Sequence, residues 1–187
     1  MKIGYCFTGS FCSFSKSIEV LKDLVKAGYN VMPIMSENSY NTDTRFGKAV
    51  DLQNEIINIT GNSIIHTIDQ AEPIGPKKMF DVLCVCPCTG NTLAKLAVGI
   101  ADTSVTMAVK SHLRNSKPVV IGVSTNDALG GAAKNIGLLR NYKNYYFVPL
   151  GMDDPLNKPK SMVCDFNMVK TTVEKAYLNQ EILQKIF

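Results

Sequence analysis

No segment of this chain approaches the roughly 18 consecutive apolar residues of a membrane span, and the apolar opening at residues 1–7 is too short for a signal peptide. Both absences point to a cytoplasmic protein. Six cysteines are present without one C-x-x-C pair, which argues against a zinc site. No metal site is expected. Cys6, Cys84, Cys86, Cys88 and Cys164 lie in or beside apolar segments, where thiols act as small buried hydrophobes of a reducing compartment. Basic residues are scattered and never interleave with aromatics. A net charge of +4 so distributed describes a solvated surface, not a nucleic-acid groove. Glycine signatures are missing too: there is no G-x-G-x-x-G for a dinucleotide and no G-K-[ST] P-loop.

What is present reads as one α/β domain over residues 1–187, with 45% apolar residues and length enough to bury a core. Apolar runs predict strands at 2–7, 30–35, 63–66, 80–86, 118–123 and 145–148. Between them, 3.6-residue periodicity predicts helices: one built on Ile18, Leu21, Leu24 and Val25, one on Ala49, Leu52, Ile56 and Ile57, then 91–98, 103–113, 127–139 and 169–177. Residues 36–44 read as a loop, and 67–78, with Pro73 and Pro76, as a turn-rich surface stretch. Pro87 is expected to stop the fourth strand, and His112 to face solvent. The alternation implies a Rossmann-like, doubly wound, mostly parallel sheet with helices on both faces.

Ligands of such sheets bind beyond the carboxyl ends of the strands. The loops there share one chemistry. The first offers Gly9 and Ser10, and the second Ser36. The next gives Pro87, Thr89, Gly90, Asn91 and Thr92, and the last Ser124 and Asn126. Small neutral donors at a helix start suit a phosphate. Without the dinucleotide fingerprint, a mononucleotide fits best, and FMN is the natural candidate.

Three stretches carry a resemblance to the homo-oligomeric flavin-containing cysteine decarboxylase superfamily. They are residues 3–10, residues 87–102 (beginning Pro87-Cys88-Thr89-Gly90-Asn91-Thr92), and His66 upstream. The resemblance implies a three-layer flavoprotein fold, bound FMN, homo-oligomers in trimers or multiples of three, and His66 as the active-site histidine. Longer words narrow it: Tyr40-Asn41-Thr42-Asp43-Thr44-Arg45-Phe46-Gly47-Lys48-Ala49, Ala71-Glu72-Pro73-Ile74-Gly75-Pro76-Lys77-Lys78-Met79 and Ser124-Thr125-Asn126-Asp127. These are similar to a subfamily forming one subunit of a two-subunit synthase that makes pyridine-2,6-dicarboxylate in the mother cell of spore-forming bacteria. That likeness implies a partner, an A subunit resembling NADP-dependent dehydrogenases, and oxidation of a dihydropyridine dicarboxylate. Where the superfamily's decarboxylases carry P-x-M-N, this chain reads Ser124-Thr125-Asn126-Asp127, so Asp127 would repel a carboxylate unless it caps the next helix.

Aromatising a dihydropyridine removes a hydride equivalent and a proton. His66 is the candidate base, since an imidazole ordinarily titrates near neutrality. Arg45 and Lys77 are candidate partners for the substrate carboxylates. Two alternatives stand beside this one: an independent FMN-dependent decarboxylase, and a non-catalytic scaffold for the A subunit.

Overall fold

The computed structural model describes residues 1–181. In chain order its elements are β1 (Lys2–Phe7), α1 (Phe14–Lys26), β2 (Asn30–Met35), α2 (Glu37–Asn41), α3 (Ala49–Thr60), α4 (Ile68–Ala71), β3 (Val82–Cys88), α5 (Gly90–Ala97), α6 (Ser104–Leu113), β4 (Val119–Thr125), α7 (Ala133–Arg140), β5 (Tyr145–Phe147), β6 (Leu150–Met152), β7 (Met162–Cys164) and α8 (Val169–Tyr177). Five strands run parallel in the order β2-β1-β3-β4-β5. A short antiparallel pair completes the sheet: β7 joins the end of β4 at Ser124 and Thr125, and β6 pairs with β7. Strand order reverses between β1 and β3, so a crevice opens where these two strands end.

β3 is buried along its whole length, as a strand covered on both faces must be. Tyr5, Phe7, Cys84 and Cys86 pack in one cluster with Phe14, Ile18, Leu21 and Leu24 of α1, Ile56 of α3 and Val173 of α8. Cys6, Leu83, Val85 and Cys88 join the opposite cluster with Leu93 of α5, Val105 and Val109 of α6 and Leu139 of α7. Cys86 and Cys88 face opposite ways although they are two residues apart. The cause is a register shift against β4 between Val85 and Cys88, which moves the side-chain phase by one.

Several expectations need correction. Pro87 does not end its strand, which continues to Cys88 through a cis Cys86–Pro87 peptide. Residues 36–44 are not all loop. Ser36 Oγ accepts from the Ser39 N–H at 3.3 Å and starts α2, as N-cap hydroxyls do. The expected strand at 63–66 is reduced to a bridge between Ile65 and Ile34. The turn-rich stretch after it folds into α4 and a 3-10 turn at Glu72–Ile74, burying Ala71 and Ile74 completely. The helix expected from 127 begins only at Ala133. Before it, the Asp127 carbonyl accepts from the N–H groups of Gly130 and Ala132, closing a turn through the Gly130-Gly131 pair. β6 and β7 carry no strong alternation and were not anticipated.

His112 is also corrected. It is 1% exposed, and its Nε2 lies 3.1 Å from the Pro118 carbonyl oxygen. A carbonyl only accepts, so Nε2 bears the proton. Burial, aided by Lys117 and opposed by the Pro118 bond and Asp81, holds its pKa down at about 4. The unfolded imidazole titrates near ~6.5, so the unfolded chain binds more protons in between. The His112 contribution is therefore complete above about pH 6.5 and is lost as the pH falls towards 4, amounting to about 3 kcal/mol. Urea melts at a series of pH values across this window should show that slope, and His112→Gln should flatten it.

Candidate functional site

At the reversal point the chain ends of β1 and β3 are tied together. Thr8 Oγ1 donates to the Pro87 carbonyl at 2.7 Å and accepts from the Thr89 N–H at 3.0 Å. Ser17 Oγ of α1 donates to the Cys86 carbonyl at 2.7 Å. These bonds satisfy backbone groups that the register shift removes from the ladder, and they fix the two loops side by side.

Beside them three hydroxyls converge, two from the loop before α1 and one from the end of β4. Ser124 Oγ lies 2.8 Å from both Ser10 Oγ and Ser13 Oγ, and Ser10 and Ser13 are 3.4 Å apart. Ser13 and Ser124 are buried. A hydroxyl carries one rotatable proton and two lone pairs, so such a triad can turn protons outward to an anion without a fixed charge of its own. Gly90, the first residue of α5, sits so close to the β4 loop that a Cβ there would stand 2.8 Å from Thr125 Oγ1 and 3.0 Å from Asp127 Oδ1. Asp127 does not cap α7. Its carboxylate accepts from Thr125 Oγ1 at 2.5 Å, which sets a negative charge on the side of the crevice away from the serines.

Ser10 and Ser124, with Ser13 behind them, open on a cavity of about 430 Å³ lined by Gly9, Ser10, Phe11, Cys12, Arg45, Phe46, Thr89, Gly90, Ser124, Thr125, Asn126, Asp127, Asp153, Lys158 and Val163. Arg45 comes from a short turn pinned by the Thr44–Gly47 bridge, its guanidinium 4.9 Å above its neighbour Phe46's ring. A second cavity of about 360 Å³, between α1 and α3, shares Phe11, Cys12 and Phe46 as a common wall.

Of the residues singled out from sequence, Gly9, Ser10, Arg45, Thr89, Gly90, Ser124 and Asn126 therefore meet around one cavity. The others stand elsewhere. Ser36 caps α2 with its hydroxyl. Pro87 contributes only its carbonyl, to Thr8. Thr92 pairs with Thr89, whose hydroxyl caps α5, and Asn91 is exposed on the first turn of that helix. His66 stacks on Tyr40 with ring centroids 3.8 Å apart and planes 11° from parallel, and it is not among the lining residues. Lys77 lies before β3, at the end of the sheet where strands begin. The seven residues of β3 separate it from the cavity by roughly 20 Å at ~3.3 Å per residue. Phe11, Phe46, Asp153 and Lys158 were missed as lining residues. Asp153 and Lys158 arrive through the antiparallel β6–β7 arm, which no periodicity announced.

Among the described residues no helix is long and apolar enough to cross a membrane, and no group of three or more His, Cys, Asp or Glu is placed to hold a metal ion.

Comparison with known proteins agrees with the fold. The chain is 41% identical over 181 residues to the B subunit of dipicolinate synthase from Bacillus subtilis, covering 97% of this chain and 90% of that one. The crystal structure of the dipicolinate synthase B subunit from Bacillus halodurans superposes with a TM-score of 0.88 at 38% identity, over 98% of this chain and 97% of that chain. The FMN-dependent cysteine decarboxylase SpaF shares the fold, with a TM-score of 0.68 at 23% identity over 94% of this chain and 97% of that chain. The model of the Flavoprotein family matches residues 1–186. With strand order, crevice and family model in agreement, the chain is a member of the Flavoprotein family.

Proposed function

We propose that this chain is the B-type subunit of a dipicolinate synthase. In this reading it holds FMN in the crevice between β1 and β3. Together with an NADP-carrying, dehydrogenase-like A subunit, it oxidises a dihydrodipicolinate-type precursor to dipicolinate. The observation that carries the reading is the nearly full-length similarity to the Bacillus subtilis protein. The neutral hydroxyl triad supports the cofactor, because a phosphate monoester held by Ser10 and Ser124, with Ser13 backing Ser124, needs no cationic partner. FMN, when bound, supplies a hydride acceptor. The chain's own residues bind the phosphate, present Arg45 to a substrate carboxylate and exclude water with Phe11 and Phe46. Homo-oligomers in multiples of three, and a cytoplasmic site of action in a sporulating cell, belong to the same reading.

The experiment is purification of the chain alone and then with the A subunit. Visible flavin absorbance, or its appearance on reconstitution, supports the cofactor, and dipicolinate formed only by the heteromer supports the division of labour. Carbon dioxide released by the isolated chain would favour an independent decarboxylase instead.

His66 is the proposed proton acceptor. In this reading His66, beyond β2 and outside the cavity of its own chain, acts on a substrate held at the junction of two protomers. His66→Ala is expected to lower turnover of the heteromer about a hundredfold while flavin uptake is kept. Turnover within twofold of wild type would remove it from the chemistry.

A further inference from the structure

We propose that Lys158 is the second carboxylate-binding cation of the site, held in reserve by Asp153 until a dicarboxylate arrives. The inference rests on the reading that the substrate is a pyridine dicarboxylate precursor, and it adds the residue that would distinguish two carboxylates from one.

The cavity has two cations, and they come from different parts of the chain. Arg45 stands on the turn between α2 and α3. Lys158 stands on the arm joining β6 to β7. Among the described residues Arg45 makes no ion pair, and its guanidinium lies over the Phe46 ring, an arrangement that leaves the planar N–H edge for a carboxylate. Lys158 is engaged, but weakly: Nζ lies 3.4 Å from Asp153 Oδ2, and the two side chains are 51% and 30% exposed. Exposed pairs of this length are readily exchanged for another carboxylate.

The arm itself is built to hold its place. The Lys158 N–H donates to the Asp154 carbonyl at 2.8 Å, and Asp154 Oδ1 accepts from the Asn157 N–H at 3.1 Å. The arm docks on the β4 loop through Ser161, whose Oγ lies 3.3 Å from Asn126 Oδ1, and through the Leu129 N–H, which donates to the Lys160 carbonyl at 3.0 Å. Lys158 is thus carried by an ordered segment on the cavity rim, where only its side chain need move. A flat ring with carboxylates on both sides of its nitrogen can lie against the Phe11 and Phe46 wall. One carboxylate then reaches Arg45, and the other replaces Asp153 on Lys158.

The test is binding of pyridine-2,6-dicarboxylate and of pyridine-2-carboxylate to the full chain, by calorimetry in buffer free of divalent cations. Wild type, Lys158→Met and Asp153→Asn are compared. Lys158→Met should weaken the dicarboxylate about tenfold and leave the monocarboxylate within twofold. Asp153→Asn, which frees the ammonium, should tighten the dicarboxylate alone. Equal losses for both ligands in Lys158→Met, or no loss for either, would overturn the role of Lys158 while leaving the dicarboxylate reading in place. A wild-type chain that binds neither ligand, yet forms dipicolinate with the A subunit, would overturn a substrate site on this chain and Lys158 with it.

Discussion

Ser124→Val should abolish flavin uptake at micromolar concentrations and leave a folded but less stable protein. Ser124 is the hub of the triad, 2.8 Å from both Ser10 and Ser13. Valine offers neither a proton nor a lone pair and adds a methyl group, a bulk that the threonine variant matches. Two consequences separate cleanly. The phosphate loses a direct donor and the geometry of a second, and two charge-assisted hydrogen bonds at about 1.5 kcal/mol each raise Kd roughly a hundredfold. Ser13, 5% exposed, loses its 2.8 Å partner and keeps the longer 3.4 Å contact with Ser10, for a stability loss of about 1 kcal/mol. Flavin titration and urea melts read the two effects independently. Ser124→Thr restores the hydroxyl and should recover most of the affinity, whereas a wild-type Kd for Ser124→Val would rule out the triad as the phosphate grip.

The largest loss of stability is expected at Gly75, far from the cavity. A Cβ there would be driven against the Ser111 backbone carbonyl and stand 2.7 Å from Ser111 Oγ. The Gly75 N–H also donates to Ser111 Oγ at 2.8 Å, and its carbonyl accepts from Asn115 Nδ2 at 2.8 Å. Backbone cannot yield as a flexible side chain can. Gly75→Ala must therefore separate the 3-10 turn at Glu72–Ile74 from α6, opening the core around the buried Ile74. The expected cost is about 3 kcal/mol or more, and the melting temperature should fall by roughly 10 °C. Gly137 is the matched control. It lies in α7 with nothing within 4 Å of the place a methyl group would take, and Gly137→Ala should stabilise by about 0.5–1 kcal/mol. If Gly75→Ala melts with the wild type, the close approach of the turn to α6 is not a constraint in solution.

Much of the sheet was legible because its signals are local. β1 and β2 match the expected 2–7 and 30–35, and α8 matches 169–177, since each is an unbroken apolar run or a 3.6-residue stripe. The strand at 63–66 was misread because an apolar stretch of that length cannot reveal whether a neighbour pairs with it along more than Ile65. Residues 67–78 were misread because Pro73 and Pro76 suggest a surface turn, whereas the burial of Ala71 and Ile74 depends on α6, more than 30 residues away. His112 shows the same limit. Lysine and arginine neighbours made its helix look solvated, but its own position faces the core beside the Pro118 carbonyl.

For the site, the residue sequence alone determined the chemical kind: small neutral donors at the carboxyl ends of parallel strands, no dinucleotide glycines, and subfamily words that the comparisons support. Tertiary structure decided membership. Ser124 lies more than 110 positions from Ser10 and Ser13, and the three become a triad only where β1 and β4 end and α1 begins. Ser36, Thr92 and Asn91 have the same chemistry, yet the Ser36 hydroxyl caps α2, the Thr92 hydroxyl accepts from the capping Thr89 and Asn91 is left at the surface. A hydroxyl's role depends on which orphaned backbone group lies within about 3 Å of it, and that is fixed by packing between elements distant in the chain. Lys158 was invisible for the same reason, since its arm reaches the cavity only because β7 adds antiparallel to the last two residues of β4.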